Sequence, residues 1–168
     1  EQLVPCKPKS VTTFDDACAT TFIEHYGLLL FRRPLTAEQT HRYVEAARAG
    51  ATRLGNLYSG LEFALAGMMM APDFLLRVDQ TQPAPHKNGL QELDAYSKAT
   101  RLRYFLIGST PDAELLRAAA AGELDSRSGV ARQVDRLIAS PHFERGVRAF
   151  FYDMLQFDQF GDLSKDPQ

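Results

Sequence analysis

The chain has 168 residues, of which 45% are hydrophobic, and its formal net charge is −2. This length and apolar content suffice to bury a core in one domain or in two small ones. The small negative charge gives no general attraction to nucleic acid, so we expect no nucleic-acid partner. No apolar stretch approaches the roughly 20 residues that a membrane-spanning helix needs, so we expect no membrane span. The sequence begins without methionine or a leader, which indicates processing or a piece of a longer polypeptide.

Cys6 and Cys18 flank a segment that contains proline, serine and threonine residues. No CxxC or CxxCH motif occurs, so the usual ligand sets of zinc and covalently bound haem are missing. We predict a disulfide between the two cysteines that ties the amino terminus to the first helix. The alternative is two free thiols, with Cys18 buried as a small apolar residue. A disulfide would indicate an oxidising compartment, so we expect a periplasmic or otherwise exported protein.

Apolar residues at three- and four-residue spacing predict three helices in the first half of the chain. The first covers about residues 14–31 and ends before a proline. Thr36 and Gln39 have the spacing of a capping box, which starts a second helix that we expect to end near Arg48. The third covers about residues 57–69 and also ends before a proline.

The second half carries clear helix signals as well. An amphipathic pattern predicts a helix over about residues 93–106. Thr110 is the expected N-cap of the next helix, with Pro111 at its first position. After one further helix, Ser140 is the expected cap of the last one and Pro141 its first residue. We therefore predict an all-α fold of about seven helices in an orthogonal or irregular bundle, without strands.

Residues 80–91 form the longest run of proline, glycine and polar residues. This composition is typical of a linker, and it separates an amino-terminal domain, 1–79, from a carboxy-terminal domain, 92–160. The polar residues 161–168 are expected to be a frayed tail. Because halves of about 80 residues are marginally stable alone, we expect the two halves to share a core.

Two adjacent patterns resemble a known pair of families. The segments "CKPKS", "CATTFIEHYGLLLFRRPLTAEQ" and "LEFALAGMMMAPDFLLRVD" resemble the fifth planctomycete cytochrome-c-associated domain. The segments "LDAYSKATRLRYFLIGSTPDAELLRAAAAGEL" and "ARQVDRLIASPHFERGVRAFFYDML" resemble the fourth such domain, which normally follows the fifth. The resemblance implies domains of unknown function from large exported bacterial proteins, often beside a c-type cytochrome region.

Arg32 and Arg33 stand at the abrupt end of the first apolar helix. One interpretation is structural, because positive charge there suits the helix dipole and can bind the free carbonyl groups. The other is two-point binding of a carboxylate, either from the second half or from a haem propionate. We predict that at least one of them forms a buried or half-buried salt bridge to the second half.

Arg101 and Arg103 are a second candidate cluster for salt bridges or carboxylate binding. A spacing of two residues puts them on different sides of their helix. One of them is therefore expected to point inward, to an acid such as Asp112 or Asp135.

Histidine and methionine side chains can ligate haem iron. The candidates are His25, His41, His86, His142 and Met68–Met70. No two histidines are three or four residues apart and none lies in HExxH, so ligation is not predicted. We expect His25 to be a partly buried imidazole and the methionines to pack in the core.

No nucleophile, phosphate-binding or paired-carboxylate motif occurs, so we predict no catalytic, cofactor-binding or metal-binding residue. The favoured function is a non-catalytic helical module that packs against and positions a neighbouring domain or chain of a larger exported, cytochrome-associated protein. The alternative is a haem-facing part of a periplasmic c-type cytochrome oxidoreductase or electron-transfer protein. No cofactor is expected in this chain, and under the alternative the full-length protein carries haem c on a segment outside it.

Overall fold

The computed structural model describes residues 3–84 and 89–157. Every element longer than three residues in these ranges is a helix, which confirms the predicted helical class. The described residues form eight α-helices rather than about seven, because one extra turn starts at Pro72. The α-helices are α1 (Asp16–Phe31), α2 (Ala37–Leu54), α3 (Leu57–Met69), α4 (Pro72–Leu75), α5 (Ala95–Ile107), α6 (Ala113–Ala120), α7 (Arg127–Ile138) and α8 (Phe143–Met154).

The chain divides into two compact units, Glu1–Val78 and Asp79–Gln168. Each unit contains its own cluster of buried apolar side chains. That the two halves share one core stays a prediction.

A small hairpin begins in the predicted linker and ends two residues beyond it, which corrects the prediction of no strand. Strand β1 (Thr81–Pro83) pairs antiparallel with β2 (Gln91–Leu93). The amide of Ala84 donates to the carbonyl of Leu90 at 2.9 Å, so the pairing extends past the strands. Proline normally weakens a strand prediction, but Pro83 ends a strand in a sheet that has only edge strands. Residues 85–88 lie outside the described residues.

In the first unit, α1, α2 and α3 pack around one core. The closest approach is between α2 and α3, where a Cβ on Gly60 would lie 2.3 Å from the carbonyl oxygen of Ala47. Helix α2 runs to Leu54, so its predicted end near Arg48 was wrong. Gly50 and Ala51 were expected in a turn but are buried helical residues, because packing against α3 outweighs the low helix propensity of glycine.

Local signals at the start of α2 act as predicted. The Thr36 hydroxyl accepts from the Gln39 amide at 3.1 Å, and the Gln39 side chain accepts from the Thr36 amide at 2.9 Å. This is a complete capping box, which satisfies two amides that the helix itself leaves free. The predicted end of α3 before Pro72 is also confirmed.

The predicted disulfide between Cys6 and Cys18 is present, with the two Cα atoms 5.4 Å apart. It holds the amino-terminal segment on α1, where Val4 and Phe14 pack against the core. The amide of Leu57 at the start of α3 donates to the carbonyl of Val11 at 2.8 Å. The bridged segment therefore contacts two helices of the unit.

In the second unit, α5, α6 and α7 enclose a core, and a 3-10 helix at Glu123–Asp125 joins α6 to α7. The buried apolar residues of this core are Ala99, Ile107, Leu115, Ala118, Ala119, Leu124 and Leu137. Helix α7 approaches the 3-10 helix closely, since a Cβ on Gly129 would lie 1.9 Å from the carbonyl oxygen of Glu123. Small residues thus set the helix spacing in both units.

Two predicted helix starts in this unit were wrong by two residues. The N-cap of α6 is Asp112 and not Thr110, and its carboxylate accepts from the Leu115 amide at 2.9 Å. Before α8, Ser140 opens a turn instead of capping the helix, which begins at Phe143. In both cases a proline taken as the first helical residue placed the predicted start two residues too early.

Candidate interaction surface

Helix α8 carries an apolar stripe that the second unit covers only in part. Val147, Phe150, Phe151 and Met154 recur at the spacing of one helix face. The first turn packs inward, since Phe143 lies against the core cluster. Further along, Phe150 and Phe151 are 55% and 46% exposed, and Met154 is exposed as well. An amphipathic helix normally buries its apolar stripe, so this one lacks a covering partner among the described residues.

The contact between α5 and α8 is tight at its centre and open at its edge. A Cβ on Gly146 would lie 2.0 Å from the carbonyl oxygen of Leu106, so only glycine fits there. Beside this contact is an apolar hollow of about 210 Å3. Its lining includes Phe105 of α5 and the rings of Phe150 and Phe151, whose centroids are 5.4 Å apart in an edge-to-face arrangement. The glycine contact fixes α8 while leaving the aromatic rings at the surface.

Phe105 is 78% exposed and stands between two hollows. One is the hollow beside α8, and the other has a volume of about 280 Å3 and includes Leu102 and Val130 in its lining. We call Phe105, Phe150, Phe151 and Met154 the aromatic face. Contiguous exposed apolar patches are typical of sites where a protein binds a partner.

Charged side chains at the second hollow are already paired. Arg101 donates through Nε and Nη2 to the same carboxylate oxygen of Asp79, at 3.0 and 2.7 Å. Lys98 lies 3.4 Å from a carboxylate oxygen of Glu92 and 3.3 Å from one of Asp125. This predicted arginine therefore forms a salt bridge within its own unit, and its chemistry is that of a half-exposed surface pair.

Arg103 lies on a different side of α5 from Arg101, as their two-residue spacing implies. Its Nη1 donates to Asp112 at 2.9 Å, one of the two acids that the sequence analysis named. Arg136 of α7 donates to both oxygens of the same carboxylate, at 2.9 and 3.0 Å. One carboxylate thus joins α5, α6 and α7, and we call Arg103, Asp112 and Arg136 the carboxylate cluster.

The carboxylate cluster shifts the acidity of its central group. Burial on its own raises the pKa of the Asp112 carboxyl. The hydrogen bonds from Arg136 and the Leu115 amide, with the charges of the two arginines, outweigh burial and hold that pKa below its usual value. Asp112 is therefore ionised at neutral pH and acts as a structural anchor.

Arg32 is buried, with 6% of its surface exposed, and lies just after α1 with φ of 61°. Its guanidinium donates to the carbonyl oxygens of Asp73, of Phe74 at 3.3 Å and of Leu76 at 2.9 Å. These carbonyls belong to α4 and the residue that follows it. Arg32 therefore binds carbonyls of another segment and not those of its own helix, while carboxylate binding by Arg32 stays a prediction.

Arg33 is half-buried and makes interactions of its own. A salt bridge from Arg33 to the second half stays a prediction.

Most of the candidate haem ligands lie at the surface. His25 is exposed rather than partly buried, with its ring 5.1 Å from that of Tyr26, so that prediction was wrong. His41 and His142 are exposed, and His86 lies outside the described residues. Met68 is fully buried as predicted, whereas Met69 and Met70 are exposed.

The described part of the chain has neither a metal-binding group nor a membrane-spanning helix. No group of three or more histidine, cysteine, aspartate or glutamate residues there could hold a metal ion. No helix formed by those residues has both the length and the apolar character to cross a membrane.

The aromatic face was missed by sequence reasoning, because an apolar pattern on the last helix does not show which of its side chains stay exposed. A signal was available in "FFYDML", where apolar side chains occupy almost every position from Phe150 to Leu155. Such a run is wider than one core-facing stripe, so some of its members must face elsewhere.

Comparison with protein families gives two matches, one in each half of the chain. Residues 18–79 match the family described as "Protein of unknown function (DUF1595)". Residues 93–168 match the family described as "Protein of unknown function (DUF1592)". Comparison with curated proteins and with solved structures found no match.

Proposed function

We propose that this chain is a non-catalytic helical module of a larger exported, cytochrome-associated protein. In this role it binds a neighbouring domain or chain through the aromatic face and holds it in place. The observation that carries the proposal is the exposure of Phe105, Phe150 and Phe151 at the edge of a tightly packed helix pair. Covering these rings would stabilise a complex, by less for each than the roughly 1.5 to 3 kcal/mol of a side chain that goes from fully exposed to fully buried.

The rigid base of the aromatic face supports this role. Gly146 locks α8 against the backbone of α5, and α5 is tied to α6 and α7 by the carboxylate cluster. A surface that is fixed before binding loses less conformational entropy when a partner arrives. The disulfide between Cys6 and Cys18 supports export, because such bonds persist in oxidising compartments.

The test uses thiol labelling, which the chain suits well. The only two cysteines of the 168-residue chain are joined in the disulfide, so an introduced cysteine is its only free thiol. In the full-length protein, labelling is measured by mass spectrometry on the peptide that contains the introduced cysteine. Phe151→Cys places that thiol on the aromatic face. Ala149→Cys is the matched control, because it is exposed on the same helix about 160° around the axis.

Each variant is made in the 168-residue chain and in the natural full-length protein, and its reaction with a maleimide is timed. We expect Phe151→Cys to react at least tenfold more slowly in the full-length protein than in the 168-residue chain. Ala149→Cys should react at the same rate in both proteins. Equal rates for Phe151→Cys in the two proteins would refute the proposal. Equal slowing of both variants would show that α8 is enclosed on all sides and would refute the assignment to this face.

A further inference from the structure

The first unit contains an apolar hollow that the proposed function does not use. It lies where the last turns of α2 meet α3 and has a volume of about 400 Å3. Its lining consists of Ala49, Gly50, Arg53, Leu54 and Phe63. Four of these five residues are apolar, and the volume falls within the range of small-molecule sites.

Gly50 explains why the hollow exists. A Cβ on this residue would lie 3.0 Å from the Cβ of Phe63 and 3.2 Å from the Cα of Gly60. The missing side chain lets α2 and α3 approach closely, and Phe63 lines the hollow beside this contact. Leu54 and Phe63 are both more than half exposed, so their apolar surfaces remain available to a ligand.

Arg53 gives the hollow its charge. The other arginines of α2 have acidic partners, since Arg42 pairs with Glu38 and Arg48 pairs with Asp16 and Glu45. The Arg53 side chain has no hydrogen bond or ion pair with any residue in 3–84 or 89–157. A guanidinium group binds a carboxylate by two parallel hydrogen bonds, which makes a carboxylate its best complement.

We propose that this hollow binds a monocarboxylate with an unbranched apolar chain, of the size of a medium-chain alkanoate. The apolar chain lies between Ala49, Leu54 and Phe63, and the carboxylate accepts two hydrogen bonds from Arg53. Both parts of the ligand are needed, because an exposed apolar contact or an exposed charge contact alone contributes little.

The experiment is isothermal titration calorimetry of the 168-residue chain with decanoate, kept below its micelle-forming concentration. We expect saturable binding to one site, with decan-1-ol about threefold weaker because it lacks the charge. Arg53 is exposed, so Arg53→Gln is also expected to weaken decanoate binding about threefold, the size of an exposed ion pair. Arg42→Gln is the matched control on the same helix and should leave the affinity unchanged.

A second variant tests the apolar part of the site. Ala49 is exposed, so Ala49→Phe fills the hollow without disturbing the core, and it should also weaken decanoate at least tenfold. The proposal is overturned if the chain does not bind decanoate, if decan-1-ol binds as well as decanoate, or if Arg53→Gln leaves the affinity unchanged. None of these results bears on the aromatic face, which lies in the other unit.

Discussion

Arg32 in the first unit and Arg103 in the second each tie one helix to another part of the same unit, but they bind different acceptors. Arg32 donates to three main-chain carbonyl groups at and after α4. Arg103 shares the Asp112 carboxylate with Arg136. Carbonyl groups do not titrate, whereas a carboxylate does, so the two contacts should respond differently to acid. The comparison shows that arginine can fix a helix end with or without a counter-charge.

The largest expected effect comes from Arg32→Ala. The substitution leaves three carbonyls near α4 without a donor and keeps a non-glycine residue in the left-handed region. We expect the free energy of unfolding, measured by urea denaturation with circular dichroism, to fall by about 3 kcal/mol.

Arg32→Gly is the matched control, because glycine accepts a positive φ without strain. It should be more stable than Arg32→Ala by about 1 kcal/mol. A loss below about 1 kcal/mol for Arg32→Ala would mean that the carbonyl contacts are exchanged for water at no cost.

Asp112→Ala is expected to cost somewhat less, about 2 kcal/mol. It removes the N-cap of α6, worth about 1 kcal/mol, and leaves Arg103 and Arg136 without their shared partner. The carboxylate and Arg136 are each about one third exposed, so water replaces part of the lost contact. Hydrogen exchange should show the Leu115 amide losing protection first, and unchanged protection at Leu115 would contradict the capping role.

Acid should separate the two contacts. The pKa of Asp112 is lowered in the folded chain, so its ionised form adds stability that is fully present above the ordinary value of 3.8. That stability is lost as the pH falls through the lower folded pKa. Asp112→Asn keeps a capping oxygen, so at neutral pH we expect it to cost about 1 kcal/mol, and this difference should shrink as the pH falls below 3.8.

The difference in unfolding free energy between the wild-type chain and Arg32→Ala should persist over the same acid range. The acceptors of Arg32 are carbonyl groups, which do not titrate. The measurement is urea denaturation of both variants at pH 7 and at several values below 4. If the effects of Arg32→Ala and Asp112→Asn on the unfolding free energy disappeared over the same pH range, acid would act on both units alike. The expected difference between the Arg32 and Arg103 contacts would then be refuted.

Arg101→Gln is expected to have the smallest effect, at most about 0.5 kcal/mol. The Arg101 side chain is 53% exposed, so water solvates its charge and replaces part of the contact, although the Asp79 side chain is only 20% exposed. The variant should be compared with Arg103→Gln, which removes a partly buried donor in the same helix. A larger loss for Arg101→Gln than for Arg103→Gln would reverse the assignment of the exposed and inward-facing arginines of α5.

The sequence by itself determined the helical class, the disulfide and the capping box at Thr36. These features depend on residues close together in the chain, such as Thr36 and Gln39, or on a pair of cysteines with no other partner. Periodicity and capping preferences are local, so one sequence contains enough information to predict them.

Tertiary structure alone decided the rest. The carbonyl acceptors of Arg32 lie 41 to 44 residues further along the chain, and nothing near Arg32 in sequence distinguishes them from a carboxylate. The extension of α2 beyond Arg48 depends on the contact of Gly50 with α3. The exposure of Phe150 and Phe151 likewise follows from the packing of α8 on α5 through Gly146. An apolar pattern shows which side chains avoid water, but only the packed helices show which of them are covered.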